Sequence, residues 1–161
     1  MPGIEVRRLT DLTDRQLIAK IVELEEEAFG EAGVDLYTLP PFILFEAVYA
    51  LFIDGELGGV AELVRSWDTR TVLLWGFAIA PQFRGRGYGT RFLEAVLDDL
   101  PGGVEEVRLT VSPANVAARR LYESLGFEYV ERVEDMYGEG EERLLMRKEI
   151  AATEGRDREG K

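Results

Sequence analysis

The chain has no cysteine and no histidine among its 161 residues. These absences exclude a disulfide scaffold, a thiolate nucleophile, an imidazole base and a Ser-His-Asp triad. The usual zinc ligands go with them, and no metal is expected, although carboxylates alone can still hold Mg²⁺ or Ca²⁺. Proton transfer is left to Glu, Asp, Tyr, Lys, water or the chain ends.

Positive charge is also scarce: 19 Lys and Arg stand against 31 Asp and Glu, a net charge of −12. A field of that sign repels nucleic acid and anionic membranes, so neither is expected as a partner. It serves solubility or draws in cationic molecules. No apolar run approaches the ~18–20 residues of a spanning helix. The first ten residues carry Glu5, Arg7 and Arg8 with no apolar stretch, so a cytoplasmic protein without a signal peptide is expected.

What is present suits one globular domain: 46% of residues are apolar and 31% charged. The expected folded unit covers residues 1–150, and 151–161 read as a charged, disordered tail. Ile4 to Leu9 is a strand. Thr13 with Gln16 fits a capping box before an amphipathic helix through Leu17, Ile18, Ile21, Val22, Leu24 and Phe29, ended by Gly30 and Gly33. Pro40-Pro41 breaks any helix running across 34–46, with room for a second short one. Val48 to Ile53 and Gly59 to Val64 form a hairpin about Asp54-Gly55. Thr71 to Ala80 is a nearly continuous apolar run and reads as a central strand buried on both faces. Helices from about Gly87 to Leu100 and Ala114 to Leu125 alternate with a strand at Val107 to Val111, and strands at Phe127 to Val133 and Arg143 to Glu149 close the chain. This order predicts an α/β fold with a mixed sheet and helices on its faces.

The segment Arg84-Gly85-Arg86-Gly87-Tyr88-Gly89-Thr90 lies between the apolar strand and a helix. Three glycines in five positions let a ligand approach the backbone closely. The helix that follows offers free N–H groups and a positive dipole end, and Arg84 and Arg86 add charge. The pattern suits a pyrophosphate. It lacks the Gly-Lys-Ser/Thr ending of a Walker loop, and Thr90 breaks the dinucleotide pattern G-x-G-x-x-G. A plain glycine-rich turn is the competing reading. Downstream, Asn115 and Tyr122 are seven residues apart, so a helix sets them on nearly one line about 10.5 Å apart. Taken singly, Asn115 reads as a helix N-cap and Tyr122 as a core aromatic.

Together the two segments resemble a known family. Arg84-x-x-Gly87-x-Gly89 matches the acyl-CoA signature of the GNAT superfamily of N-acetyltransferases, and the stretch from Asn115 through Tyr122 to Gly126-Phe127 resembles its second motif. The resemblance covers about residues 4–149 and is strongest from 71 to 130, with likeness to the ribosomal-protein and N-terminal acetyltransferase branch.

That resemblance implies a mostly antiparallel sheet with a V-shaped split between the strands near 71–80 and 107–111. It implies acetyl-CoA as cosubstrate, bound by backbone groups of Phe77, Ala78 and Ile79, by Arg84, Gly85, Arg86, Gly87, Tyr88, Gly89 and Thr90, and by Asn115. Tyr122 matches the tyrosine that acts as general acid. The implied partners are acetyl-CoA and an amine acceptor, with a homodimer as an option. The implied activity is direct acetyl transfer to a primary amine; a non-catalytic acyl-CoA-binding module on the same fold is the alternative.

The base is not evident. The positions where relatives often carry a glutamate are Leu73 and Thr110, and the substitutes are Glu62, Glu46, Asp68 and Glu128. A lysine amine at pKa ~10.4 must give up about 4.6 kcal/mol to be neutral at pH 7, an α-amine at ~7.8 only about 1.1 kcal/mol. A weak base therefore favours an α-amine. Acidic runs at Glu23, Glu25, Glu26, Glu27, Glu31 and Asp35, and at Glu134, Asp135, Glu139, Glu141 and Glu142, fit a cationic acceptor or a solvated face.

Overall fold

A computed structural model describes residues 2–151. The tail expected beyond 151 lies outside the described residues. The elements follow the expected order: β1 (Ile4–Leu9), α1 (Arg15–Phe29), α2 (Leu39–Phe45), β2 (Ala47–Ile53), β3 (Glu56–Arg65), β4 (Thr71–Ile79), α3 (Tyr88–Asp99), β5 (Glu106–Val111), α4 (Val116–Ser124), β6 (Glu128–Val133) and β7 (Arg143–Glu149). Hydrogen-bonded strands run β1-β2-β3-β4-β5-β7-β6 in a seven-stranded sheet. β1–β2, β2–β3, β5–β7 and β6–β7 pair antiparallel and β4–β5 parallel, so the fold is mixed α/β as expected.

The described residues form two compact units, one of 2–64 and Trp75–Asp99, the other of Arg65–Leu74 and 100–151. In the first, α1 presents Leu17, Ile18, Ile21 and Leu24 at helical spacing. They share a core with Val48 and Ala50 of β2, Val60 of β3 and Ala78 of β4. α3 covers the opposite face, where Tyr49 donates to Asp99 (2.9 Å) and Phe92 stacks on Phe77 (5.5 Å).

Two local expectations are corrected in this unit. The N-cap of α1 is Asp14, whose carboxylate accepts from the Leu17 amide at 3.0 Å; Thr13 instead donates to Asp11, so no Thr13–Gln16 capping box forms. Pro40 and Pro41 begin α2 instead of breaking a helix, because a first-turn residue has no intrahelical acceptor to lose. Asp35 accepts from the Tyr37 and Thr38 amides just ahead of it. The hairpin turn holds, with Asp54 and Gly55 both at positive φ (50° and 82°).

β4 is not buried on both faces. Leu74 and Ala78 are buried, but Trp75 is 51% exposed and meets Phe42 edge-on (5.9 Å), while Gly76, Phe77 and Ile79 are partly exposed. An apolar run reports hydrophobic side chains, and it does not say how much of the strand its own unit covers.

In the second unit β4 pairs with β5 from Thr71–Glu106 to Leu74–Leu109. β5 pairs with β7, setting Leu109 against Met146, both buried. Glu106 receives Arg108 (2.8 Å) and Arg147. Burial alone would raise its carboxyl, but the two guanidinium groups hold it below the usual range.

Candidate active site

The glycine-rich segment belongs to the first unit. Ala80 donates to Gly58 (2.8 Å) as β4 ends, a 3₁₀ turn follows at Pro81–Phe83, and the exposed run 84–87 leads into α3. Gly85 and Gly87 take φ of 74° and 85°, which L side chains avoid. A Cβ at either position would meet no atom within 4 Å. Space and conformation together leave this backbone open to a ligand. The amides of Tyr88, Gly89 and Thr90 begin α3, where N–H groups lack helical acceptors; the ladder starts with Arg91 donating to Gly87. Tyr88 is buried edge-on to Phe83 (5.8 Å), which anchors the turn from below.

The two arginines behave differently. Arg86 is exposed and has no ion-pair partner among the described residues. Arg84 donates through Nε to the Ile79 carbonyl (2.8 Å) and through both terminal nitrogens to Glu27 of α1 (2.6 and 3.3 Å). Its guanidinium ties the loop to α1 and to the end of β4.

In the second unit, α4 carries the other two expected residues. Asn115 is the N-cap, its Oδ1 accepting from the Ala118 amide at 3.2 Å. Tyr122, 7% exposed, lies edge-on to Phe127 (5.8 Å). Burial pushes its phenol up to about 12. Gly126 closes the helix at φ 92°. Thr110 lies within 3.4 Å of the Tyr137 hydroxyl.

The acidic runs divide by role. Glu27 holds Arg84, Asp35 serves α2, Asp135 accepts from the Gly140 amide, and Glu141 and Glu142 pair with Arg143 and Arg132. Glu26, Glu31 and Asp35, with Val22 and Val34, line a cavity of about 300 Å³. Glu25 is not on a solvated face at all. It is 1% exposed, and its Oε2 accepts from the Val34 amide at 3.1 Å.

Beside Glu25 sits Glu62 of β3, fully buried. Glu25 Oε1 and both Glu62 oxygens have no donor among the described residues. Burial first, and then the neighbouring Glu25 carboxyl, hold the Glu62 carboxyl well above its usual range. Of the four substitute bases, Asp68 and Glu128 are exposed and Glu46 is half-buried. Within this set Glu62 is the one fully buried beside a second carboxyl group, and burial and a like charge both favour its protonated form.

Comparison with known proteins fits this geometry. A profile of the Acetyltransferase (GNAT) family matches residues 16–127. The chain belongs to the GNAT acetyltransferase family. It is 37% identical over 152 residues to an N-alpha-acetyltransferase of Sulfurisphaera tokodaii, covering 86% of this chain and 87% of that one. It is 36% identical over 72 residues to an L-2,4-diaminobutyric acid acetyltransferase of Nocardia farcinica. That alignment covers 44% of this chain and 37% of the relative, so the match spans well under half of the relative's length. A Salmonella typhimurium protein solved with its cofactor acetyl-CoA shares the fold at a TM-score of 0.70 and 20% identity, over 96% of this chain and 98% of that one.

Proposed function

We propose that this GNAT chain transfers the acetyl group of acetyl-CoA directly to a primary amine, and that the cationic form of that amine is drawn by its acidic surface. The observation that carries the reading is the loop at Gly85 and Gly87, left-handed and unobstructed, opening α3. Its donor set fits a pyrophosphate: the first amides of α3, an unpaired Arg86 and no carboxylate among residues 84–90. Arg84 braces this loop through Glu27 and the Ile79 carbonyl, with its guanidinium beside the same backbone.

Acetyl-CoA supplies an activated thioester. The chain's part is to hold it, orient the amine and manage two protons. Tyr122 remains a neutral phenol through the physiological range. Handing its proton fully to a thiolate of pKa ~8.5 is uphill by about 5 kcal/mol. Tyr122 therefore acts by hydrogen bonding to the charge that develops on sulfur, while its own proton stays on the phenol oxygen. Without cysteine there is no thiol to carry an acyl-enzyme.

Titration calorimetry with acetyl-CoA, against NAD and ATP as controls, tests the cosubstrate. Thiol release with N-terminal peptides, 2,4-diaminobutyrate and polyamines then tests the acceptor. Binding of acetyl-CoA alone with amine-dependent thiol release is the expected result. Binding without release from any amine would leave an acyl-CoA-binding module, and no binding would overturn the reading.

A further inference from the structure

Glu25 and Glu62 place two carboxyl groups in the core of the first unit, fed by one backbone amide. Such a pair is costly to bury, and an apolar pair would pack there without that penalty. The side chain of Glu62 is covered on β4 by Gly76, the one residue of the 71–80 run without a side chain. A Cβ on Gly76 would overlap Glu62 Oε1 and lie 3.6 Å from Glu25 Oε1. Gly76 itself is partly exposed, whereas its neighbour Ala78 is buried. The carboxyl pair therefore lies directly behind a side-chain-free, solvent-reaching point of the central strand.

We propose that Glu62, assisted by Glu25, takes the proton from the acceptor ammonium through this gap at Gly76. The proposal rests on the acetyltransferase reading. An ammonium ion at Gly76 meets two carboxylates, which favour its approach. One N–H bond breaks and one O–H bond forms on Glu62, directly or through a bridging water. The freed amine lone pair forms the C–N bond, a second N–H bond and the C–S bond then break, and that second proton balances the one the departing thiolate takes up. Glu62 returns its proton to solvent, so the turnover releases one proton overall. Glu25 is the titratable group whose charge acts on Glu62; β2 presents Val48 at the paired position, β4 presents Gly76, and the loop after α1 presents the Val34 amide.

The test is the pH profile of kcat/KM for the amine in wild type, Glu62→Gln and Glu25→Gln, each checked for folding and for acetyl-CoA affinity. Glu62→Gln is expected to bind acetyl-CoA as wild type does and to lose about 100-fold in rate at pH 7. That deficit shrinks as pH rises toward the amine pKa, because the free amine then forms without help. Glu94→Gln, at an exposed carboxylate of α3, leaves the profile unchanged. A deficit under threefold, or one constant with pH, overturns the proposal. If Glu62→Gln does not fold, Glu25→Gln decides: removing the like charge moves the acidic limb of the profile to lower pH, and an unmoved limb overturns the proposal. Wild type that turns over normally while these variants match it sinks this inference alone. Wild type that neither binds acetyl-CoA nor acetylates any amine sinks the functional reading, and this inference with it.

Discussion

Arg84 and Glu27 form a two-pronged ion pair, 2.6 and 3.3 Å, that joins the glycine-rich loop to α1. Both side chains are close to half exposed, 47% and 43%, so solvent screens the pair. Its worth to stability is about 0.2–1 kcal/mol. Its consequence is geometric: it fixes the turn from which the α3 amides point. Glu27→Gln is therefore expected to change unfolding free energy by less than about 1 kcal/mol. Arg86→Gln, which removes an unpaired charge beside those amides, is expected to weaken acetyl-CoA by about tenfold, with a reduced salt dependence. Calorimetry at two ionic strengths separates them. Equal losses for Arg86→Gln and Glu27→Gln would show that the brace matters as much as the charge.

Gly87→Ala separates conformation from access. Its φ of 85° penalises any L residue by about 1–2 kcal/mol, and open space means no clash adds to that. Denaturant unfolding should show a loss of that size. Acetyl-CoA affinity should fall further, by more than tenfold, because the new methyl group stands where a ligand must approach. An affinity that drops only in step with stability would mean the loop is a turn and nothing more.

Much of this was legible in the chain because periodicity and turn chemistry are local. The α1 stripe, the Asp54-Gly55 hairpin, the Asn115 cap and the Gly126 close all depend on neighbours within a few residues. The burial of Glu25 and Glu62 was not read, although the signal was there. Glu25 falls four residues after Ile21, on the apolar stripe of α1, and Glu62 two after Val60, on the core side of β3. A charge at an apolar phase reads as a solvated exception unless its partner is known, and that partner is 37 positions away. β4 failed for a related reason: hydrophobicity cannot tell a covered strand from one left partly open. The Arg84–Glu27 pair was not read, because Glu27 lies 57 residues away.

Asn115→Ala tests whether the cap is all that Asn115 does. Loss of the Oδ1 bond to Ala118 should destabilise by about 1 kcal/mol. Asn115→Asp keeps an acceptor there and restores the cap. If acetyl-CoA affinity falls for both variants while stability recovers in the aspartate, Asn115 also contacts the cosubstrate through its amide group. If affinity tracks stability, its role ends with the helix.

The pH dependence of stability follows from Glu62. Its folded carboxyl titrates above the ordinary value of 4.5, so between that value and its own pKa the folded state binds more protons than the unfolded chain. Stability is then full below about 4.5 and falls as pH rises through the folded pKa. Asp11, Asp35 and Glu106 have the opposite sign: held low by their hydrogen bonds, they favour the folded state above their ordinary values and cease to as pH falls. Unfolding free energy should thus peak in mildly acidic solution. Glu62→Gln should flatten the alkaline side and leave the acidic side unchanged, read by denaturant unfolding across pH 3 to 9. An alkaline slope that survives the substitution would place its origin in another group.

Tyr122→Phe is the decisive variant for catalysis, because it removes one hydroxyl from an apolar site and should leave the fold intact. A phenol at about 12 stays protonated, so the wild-type rate should show no falling alkaline limb from Tyr122 at or below pH 10. The variant should keep its acetyl-CoA affinity and lose about 100-fold in kcat. The loss should be smaller for an acyl donor whose thiol is more acidic, since a better leaving group needs less help from a hydrogen bond. A phenylalanine variant that turns over at the wild-type rate with both donors would remove Tyr122 from the chemistry and leave it as a core aromatic packed on Phe127.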